Sequence, residues 1–239
     1  MRGNDAGANG GKMIHFSQAA FWIFALSGGA TSSPPAAVPV EKEPFHRPVF
    51  TNSEVQVLDV VIPPKTSTLF HTHLHDLLGL TISSAPSKNE VPGQKPTLEP
   101  ADPEGEVWYE PFPSASTHRV ENVGNTPIHY LVFQVLGKAA ADAPASAWPD
   151  RDVGRVAFEN ARVRVVRIDL AAGEAAADHK HMTGYGIGTL TGGRLEEDKE
   201  PSRSVSEAGF VRWGDRSLHH TIRNAGDAPI SIFEFEVRN

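Results

Sequence analysis

The chain has no cysteine. Disulfides, thiolate nucleophiles and Cys-ligated zinc are therefore excluded, and any metal must be held by His, Asp or Glu. Runs of Lys and Arg are also missing, and the formal charge is −7. That balance argues against a nucleic-acid or acidic-membrane surface. Long apolar runs are absent too. The best stretch, Ala19 to Leu26, is eight residues, too short to span a bilayer. Extended 3.6-residue periodicities are hard to find, so a helical fold is disfavoured.

What is present is turn-forming. The chain carries 21 Gly and 19 Pro beside 39% hydrophobic residues in a length of 239. This suits an all-β protein of many short strands around a real core.

The apolar run follows Arg2 and Lys12 and precedes Ser27-Gly28-Gly29-Ala30. Basic, apolar, small is the order of a secretory signal, which predicts a secreted or periplasmic protein. Met13 is an alternative start. The competing reading is a disordered tail on a cytoplasmic protein. Thr31 to Val40 reads as a linker, so residues 1–40 form a leader.

An internal repeat sets the architecture. Phe50-x-Asn52-x-x-Val55-x-Val57 recurs as Phe158-x-Asn160-x-x-Val163-x-Val165, and His71-x-His73 recurs as His179-x-His181, each 21 residues after its Phe. His118-x-x-x-Asn122 then matches His220-x-x-x-Asn224. Gly124, Pro127, Ile128, Phe133 and Val135 match Gly226, Pro229, Ile230, Phe235 and Val237 without a gap. The expected domains are 41–138 and 153–239, joined by an Ala-, Pro- and Asp-rich linker, 139–152. Between the motifs, Ser83 to Glu106 and Gly192 to Gly209 read as loops or irregular hairpins.

Two His at i and i+2 of a strand share a face. If that face is a barrel interior, a third His from a later strand completes a set able to hold Fe, Mn, Zn, Ni or Cu with positions left open. The candidate ligands are His71, His73 and His118 in the first copy and His179, His181 and His220 in the second. His75 is an extra candidate in the first. His219 is expected to alternate outward, and Asn122 and Asn224 to serve turns. Trp108 and Trp213 are expected to wall the pockets. Gly184-Tyr185-Gly186-Ile187-Gly188 has the glycine spacing of a nucleotide loop, but no helical pattern follows it.

These motifs resemble the cupin superfamily, over nearly all of the chain from Val40. Gly173-x5-His179-x-His181 is similar to the start of its first motif, and both His-x3-Asn pairs to the end of its second. The resemblance implies two tandem double-stranded β-helix (jelly-roll) barrels, each a cup for a small-molecule ligand. It also admits a homodimer. One departure stands out. The family glutamate should fall near Leu77 or Leu78 and near Tyr185 or Gly186, and neither copy has it. Two functions remain open: a metal-dependent dioxygenase- or isomerase-like enzyme acting on a small molecule, or a noncatalytic binding or sensing module without metal. A variant of the first makes only one half active, and His75 favours the N-terminal one.

Overall fold

A computed structural model describes residues 36–137, 154–181, 184–198, 203–205, 207–214 and 219–237. The signal-like run, the linker 139–152 and Thr183 lie outside them. The described chain is nearly all β, with one short 3-10 turn, Val40–Lys42. None of its helices is long and apolar enough to cross a membrane.

The N-terminal half contributes β1 (Val38–Pro39), β2 (His46–Thr51), β3 (Val55–Ile62), β4 (His71–His73), β5 (Asp76–Ser83), β6 (Ser87–Glu90), β7 (Thr97–Glu99), β8 (Val107–Glu110), β9 (Ser116–Asn122) and β10 (Ile128–Val135). They form two sheets, β1-β4-β9-β6-β7 and β2-β3-β10-β5-β8. The C-terminal half contributes β11 (Arg155–Glu159), β12 (Val163–Leu170), β13 (His179–Lys180), β14 (Tyr185–Thr189), β15 (Gly193–Glu197), β16 (Arg203–Val205), β17 (Val211–Gly214), β18 (His219–His220), β19 (Ile222–Asn224) and β20 (Ile230–Val237). Its sheet β11-β12-β20-β14-β17 has the order of β2-β3-β10-β5-β8, and the pieces β13-β18 and β16-β15-β19 make up the rest. The segments read as loops or hairpins supply β6 with β7 and β15 with β16. The glycine-rich stretch is strand β14, so the nucleotide-loop resemblance is incidental.

The repeated residues have structural jobs. Asn52 Oδ1 accepts from the backbone N–H groups of Glu54 and Val55, and Asn160 Oδ1 from those of Arg162 and Val163. Each closes the turn between the first two repeat strands. Asn122 and Asn224 are buried turn residues. Asn224 Nδ2 donates to the carbonyls of Leu170, Ala171 and Ala228, while its Oδ1 accepts from Gly226 N–H. Asn122 does the same toward Ile62, Thr126 and Gly124. Asn224→Ala strands several buried backbone groups at once. A loss of about 1–3 kcal/mol is expected, read as a lower urea midpoint with the m-value unchanged.

Each half buries both faces of its main sheet. One face fills its own barrel: Leu58, Val60, Ile62 and Val132 in the first, Val166, Ile168, Ile187 and Ile232 in the second. The alternate residues, Val55, Val57, Leu131 and Phe133, meet Val163, Val165, Phe233 and Phe235 in one cluster between the barrels. Phe133 and Phe235 stack with centroids 4.2 Å apart. The duplicated Phe50 and Phe158 cross over. Phe50 stacks on Trp213 and Phe158 on Tyr109. Trp213 therefore packs between the barrels rather than walling a pocket, because its register partner on β14, Gly186, leaves room for the ring on the outer face. Trp108, on the opposite parity of β8, does line a cavity.

Composition placed Val38–Val40 in a linker, but these residues join the first barrel. β1 pairs with β4, Val38 opposite His71, and Val40 is buried.

Candidate metal centre

Antiparallel pairing places the third histidine of each set directly across from the first: His71 opposite His118 on β4 and β9, His179 opposite His220 on β13 and β18. His73 and His181 follow two residues on and point to the same side, while Thr72 turns away to meet Thr117. The six predicted histidines thus gather as two trios inside the two barrels.

The trios differ in what accompanies them. In the C-terminal barrel a fourth residue, Glu234, brings its carboxylate among the imidazoles, and the four side chains offer ligand atoms within 4.8 Å of one another, all buried. His179 Nε2 lies 3.1 Å from Glu234 Oε1, His220 Nε2 3.4 Å from Oε1, and His181 Nε2 3.8 Å from Oε2. His181 and His220 bring their Nε2 atoms to 2.9 Å. Each Nδ1 has an acceptor nearby instead: His179 hydrogen-bonds the carbonyl of Ala177 at 2.8 Å and His220 meets the carboxylate of Glu197 at 3.4 Å, while His181 lies 3.1 Å from the carboxylate of Glu236 without hydrogen-bond alignment. Outer partners of this kind fix ring orientation and leave the Nε2 lone pairs turned to a common point.

Burial drives the Glu234 carboxyl upward, but its contacts with His179, His181 and His220 prevail and hold it well below the usual carboxylate range. Burial likewise pulls His179 and His181 down, and Glu234 more than offsets it, leaving both raised.

Glu234 sits on β20, not at the family position. Of the two residues at the expected place, Tyr185 and Gly186, Tyr185 stacks its ring on His181 at 4.0 Å. Glu234 alternates with Phe233 and Phe235 on β20, a pattern that in sequence alone carries no sign of a ligand. The N-terminal barrel covers the Phe face, so the Glu side is the interior of the C-terminal barrel.

In the N-terminal barrel Val132 stands at the matching place, since Phe133 and Phe235 are equivalent. The trio there has no carboxylate. His71 Nδ1 meets the carbonyl of Leu69 at 3.0 Å and His118 Nδ1 meets Asn89 Oδ1 at 3.1 Å, while His71 Nε2 is buried without a hydrogen-bond partner among the described residues. Burial and neighbouring imidazoles lower His71 to about 4 and His118 to about 3. The rings are therefore neutral at pH 7, the form a metal requires.

His75 does not join either set. β4 ends at His73, the alternation breaks at exposed Leu74, and β5 leaves for the other sheet, so His75 faces a separate outer cavity with Val38 and Leu136. His46, unsuspected from sequence because it lies outside the repeat, does approach: its ring is 4.5 Å from that of His71, and buried Glu43 holds its Nδ1 at 2.6 Å.

A cavity of about 130 Å3 opens beside His73 and His118, walled by Trp108 and Tyr130 and edged by Glu99, Asp102 and Glu110. Burial and the charge of Glu99 raise Glu110 to about 7. A raised carboxyl destabilises the fold as pH climbs from the unfolded value, 4.5, through about 7. Glu110→Gln is therefore expected to match the parent in melting temperature near pH 4.5 and to exceed it by a few degrees at pH 8.

Two jelly-roll barrels, each closing on an interior histidine trio, define a bicupin fold. The comparisons agree on that fold. No protein-family model matches the chain, and no curated protein matches it in sequence. Among solved structures, AerE from Microcystis aeruginosa is similar at TM-score 0.57 and 12% identity, over 82% of this chain and 99% of that one. YhhW from Escherichia coli is similar at 0.54 and 13%, over 82% and 89%. An oxalate decarboxylase from Bacillus subtilis is similar at 0.54 and 14%, over 78% and 69%. The chain has the fold of the cupin superfamily, all-β and with two tandem barrels.

Proposed function

We propose that this protein is a metal-dependent bicupin in which His179, His181, His220 and Glu234 hold a divalent transition metal, and that it transforms a small molecule in a dioxygenase- or isomerase-like reaction. The observation that carries this reading is the buried convergence of three Nε2 atoms on one carboxylate, with a carbonyl or carboxylate oxygen within 3.4 Å of each Nδ1. Three imidazoles and a carboxylate form an N/O donor set suited to Mn, Fe, Ni, Cu or Zn. When bound, such an ion supplies Lewis acidity toward a chelating substrate and, if iron, access to oxygen chemistry. The protein's own residues do the rest. Glu234 offsets part of the ion's charge, Glu197 and Glu236 orient His220 and His181, and Tyr185 braces His181 by stacking. His71, His73 and His118 are a second, carboxylate-free set for a weaker metal site.

The competing reading, a binding or sensing module, draws support from the N-terminal barrel, where Val132 and Leu77 replace carboxylates and a cavity remains. Secretion, suggested by residues 13–30, stands as a proposal, as does assembly into a homodimer.

The test is elemental analysis of protein purified without a His tag, followed by reconstitution with Mn, Fe, Ni, Cu and Zn. Binding of at least one ion per chain, lost in His179→Ala with His181→Ala, is expected. Failure to take up any ion stoichiometrically would overturn the metal reading. Metal uptake without turnover across chelating hydroxy- and oxo-acids would favour the sensing reading.

A further inference from the structure

The two barrels, duplicated in sequence, carry different charge in their interiors. Strand register gives the equivalences. Glu110 pairs with Leu77 and Gly214 with Tyr185, so Glu110 corresponds to Gly214 and Trp108 to Arg212. In the C-terminal barrel the interior carboxylates are matched by protein cations or imidazoles. Glu197 pairs with Arg212, Glu236 with Arg164 and His181, and Glu234 with the three histidines.

The N-terminal cavity also holds His46, His73 and His118, but among the described residues none of them forms an ion pair with its carboxyls. Three carboxyls, Glu99, Asp102 and Glu110, line it, and no Lys or Arg does. Asp102 accepts from Tyr130 Oη at 2.6 Å and Glu99 from Thr97 at 3.2 Å, whereas the Glu110 carboxyl has no hydrogen bond or ion pair among the described residues. Burial raises both Glu99 and Glu110, helped by the charge of Asp102 on Glu99 and of Glu99 on Glu110. Partly buried carboxyls of this kind remain costly until a cation or donors compensate them. At the same cavity, His73 is 3% exposed and its Nδ1 lacks a hydrogen-bond partner among the described residues. That is a second polar group awaiting a ligand atom.

The walls decide which cation fits. The cavity carries oxygens from Asn89, Glu99, Asp102, Glu110 and Tyr130, but Val60, Ile62, Leu77, Val132 and the Trp108 ring carry none, so an inorganic ion, which needs an oxygen-rich shell, would leave most of the apolar lining uncovered. They do suit an apolar body, and the indole face attracts an attached ammonium. The cavity, about 130 Å3, is close to the roughly 150 Å3 that admits a benzene ring.

We propose that the N-terminal barrel binds a small organic ammonium, its charged nitrogen between Glu110 and Glu99 and its apolar or aromatic body against Trp108. The site lies in the other barrel from the centre proposed at His179, His181, His220 and Glu234, and it adjoins the second histidine set through His73 and His118.

Calorimetric titration of the full chain with benzylammonium, benzyl alcohol and benzoate tests this, on metal-loaded and chelator-treated protein whose metal content is measured in parallel. Benzylammonium is expected to bind at least tenfold more tightly than benzyl alcohol in both preparations and to change Trp fluorescence, with benzoate weakest. Glu110→Gln should erase the preference for the ammonium while leaving benzyl alcohol binding and the melting temperature at pH 5 within error. Trp108→Phe should weaken all ligands and keep their order. Equal binding of the three, no binding of benzylammonium at millimolar concentration, or its displacement by Mg or Ca at equal concentration would each overturn the proposal. A normal metal content beside such a failure would leave the C-terminal centre standing.

Discussion

Glu234→Ala is expected to empty the C-terminal barrel of metal while the N-terminal set is unchanged. The carboxylate is the sole acidic member of the set, so its loss should weaken the site by more than the roughly 10–100-fold typical of losing an outer partner. Elemental analysis after dialysis should fall by one ion per chain, and the metal-induced rise in melting temperature should collapse. Glu234→Gln keeps the shape and separates charge from packing. It should be nearly as poor in metal affinity yet closer to the parent when both are metal-free. If either variant retains the full complement of ions, Glu234 is no ligand and the reading fails.

The pH dependence follows from the same residues. In metal-free protein His179 and His181 are raised above 6.5, so their stabilising contribution is full below that value and is lost as pH rises through the folded pKa. Glu234 is depressed below 4.5, so its contribution is present above that value and is lost as pH falls through its folded pKa. The metal-free centre is thus most stabilising between roughly pH 4.5 and 6.5. Metal binding displaces the imidazole protons and runs the other way. The metal-induced shift in melting temperature should therefore be larger at pH 8 than at pH 6, and a constant shift would count against these histidines as ligands.

Phe235→Ala should produce the largest loss of stability. The side chain is fully buried against Phe133 at the centre of the layer joining the barrels. Removing such a ring costs about 3–5 kcal/mol. At roughly 2–4 °C per kcal/mol for a chain of this size, that is a fall on the order of 10 °C. Because Val55, Val57 and Leu131 lie in the same cluster as Val163, Val165 and Phe233, the two halves should melt together. Calorimetry showing one displaced transition supports the shared core. Two transitions, with only one displaced, would mean the barrels fold separately.

The sequence by itself determined the duplication, the strand-rich fold and the six histidines. Each rests on local chemistry: Asn52 and Asn160 close turns, the i, i+2 spacing puts two imidazoles on one face, and absent cysteine leaves only N and O donors. Tertiary structure decided what each trio meets. Whether Glu234 was solvated or buried depended on a neighbouring barrel that covers Phe233 and Phe235 and so turns the alternate residues of β20 into the interior. Whether His75 counted depended on where β4 ended, and on β5 leaving for another sheet. His46 reached the first trio from outside the repeat, carried by a strand whose position only folding sets. Motif reading finds what lies close along the chain. The missing carboxylate came from a strand more than 50 residues beyond His181, where strand pairing sets proximity and spacing in sequence carries no signal.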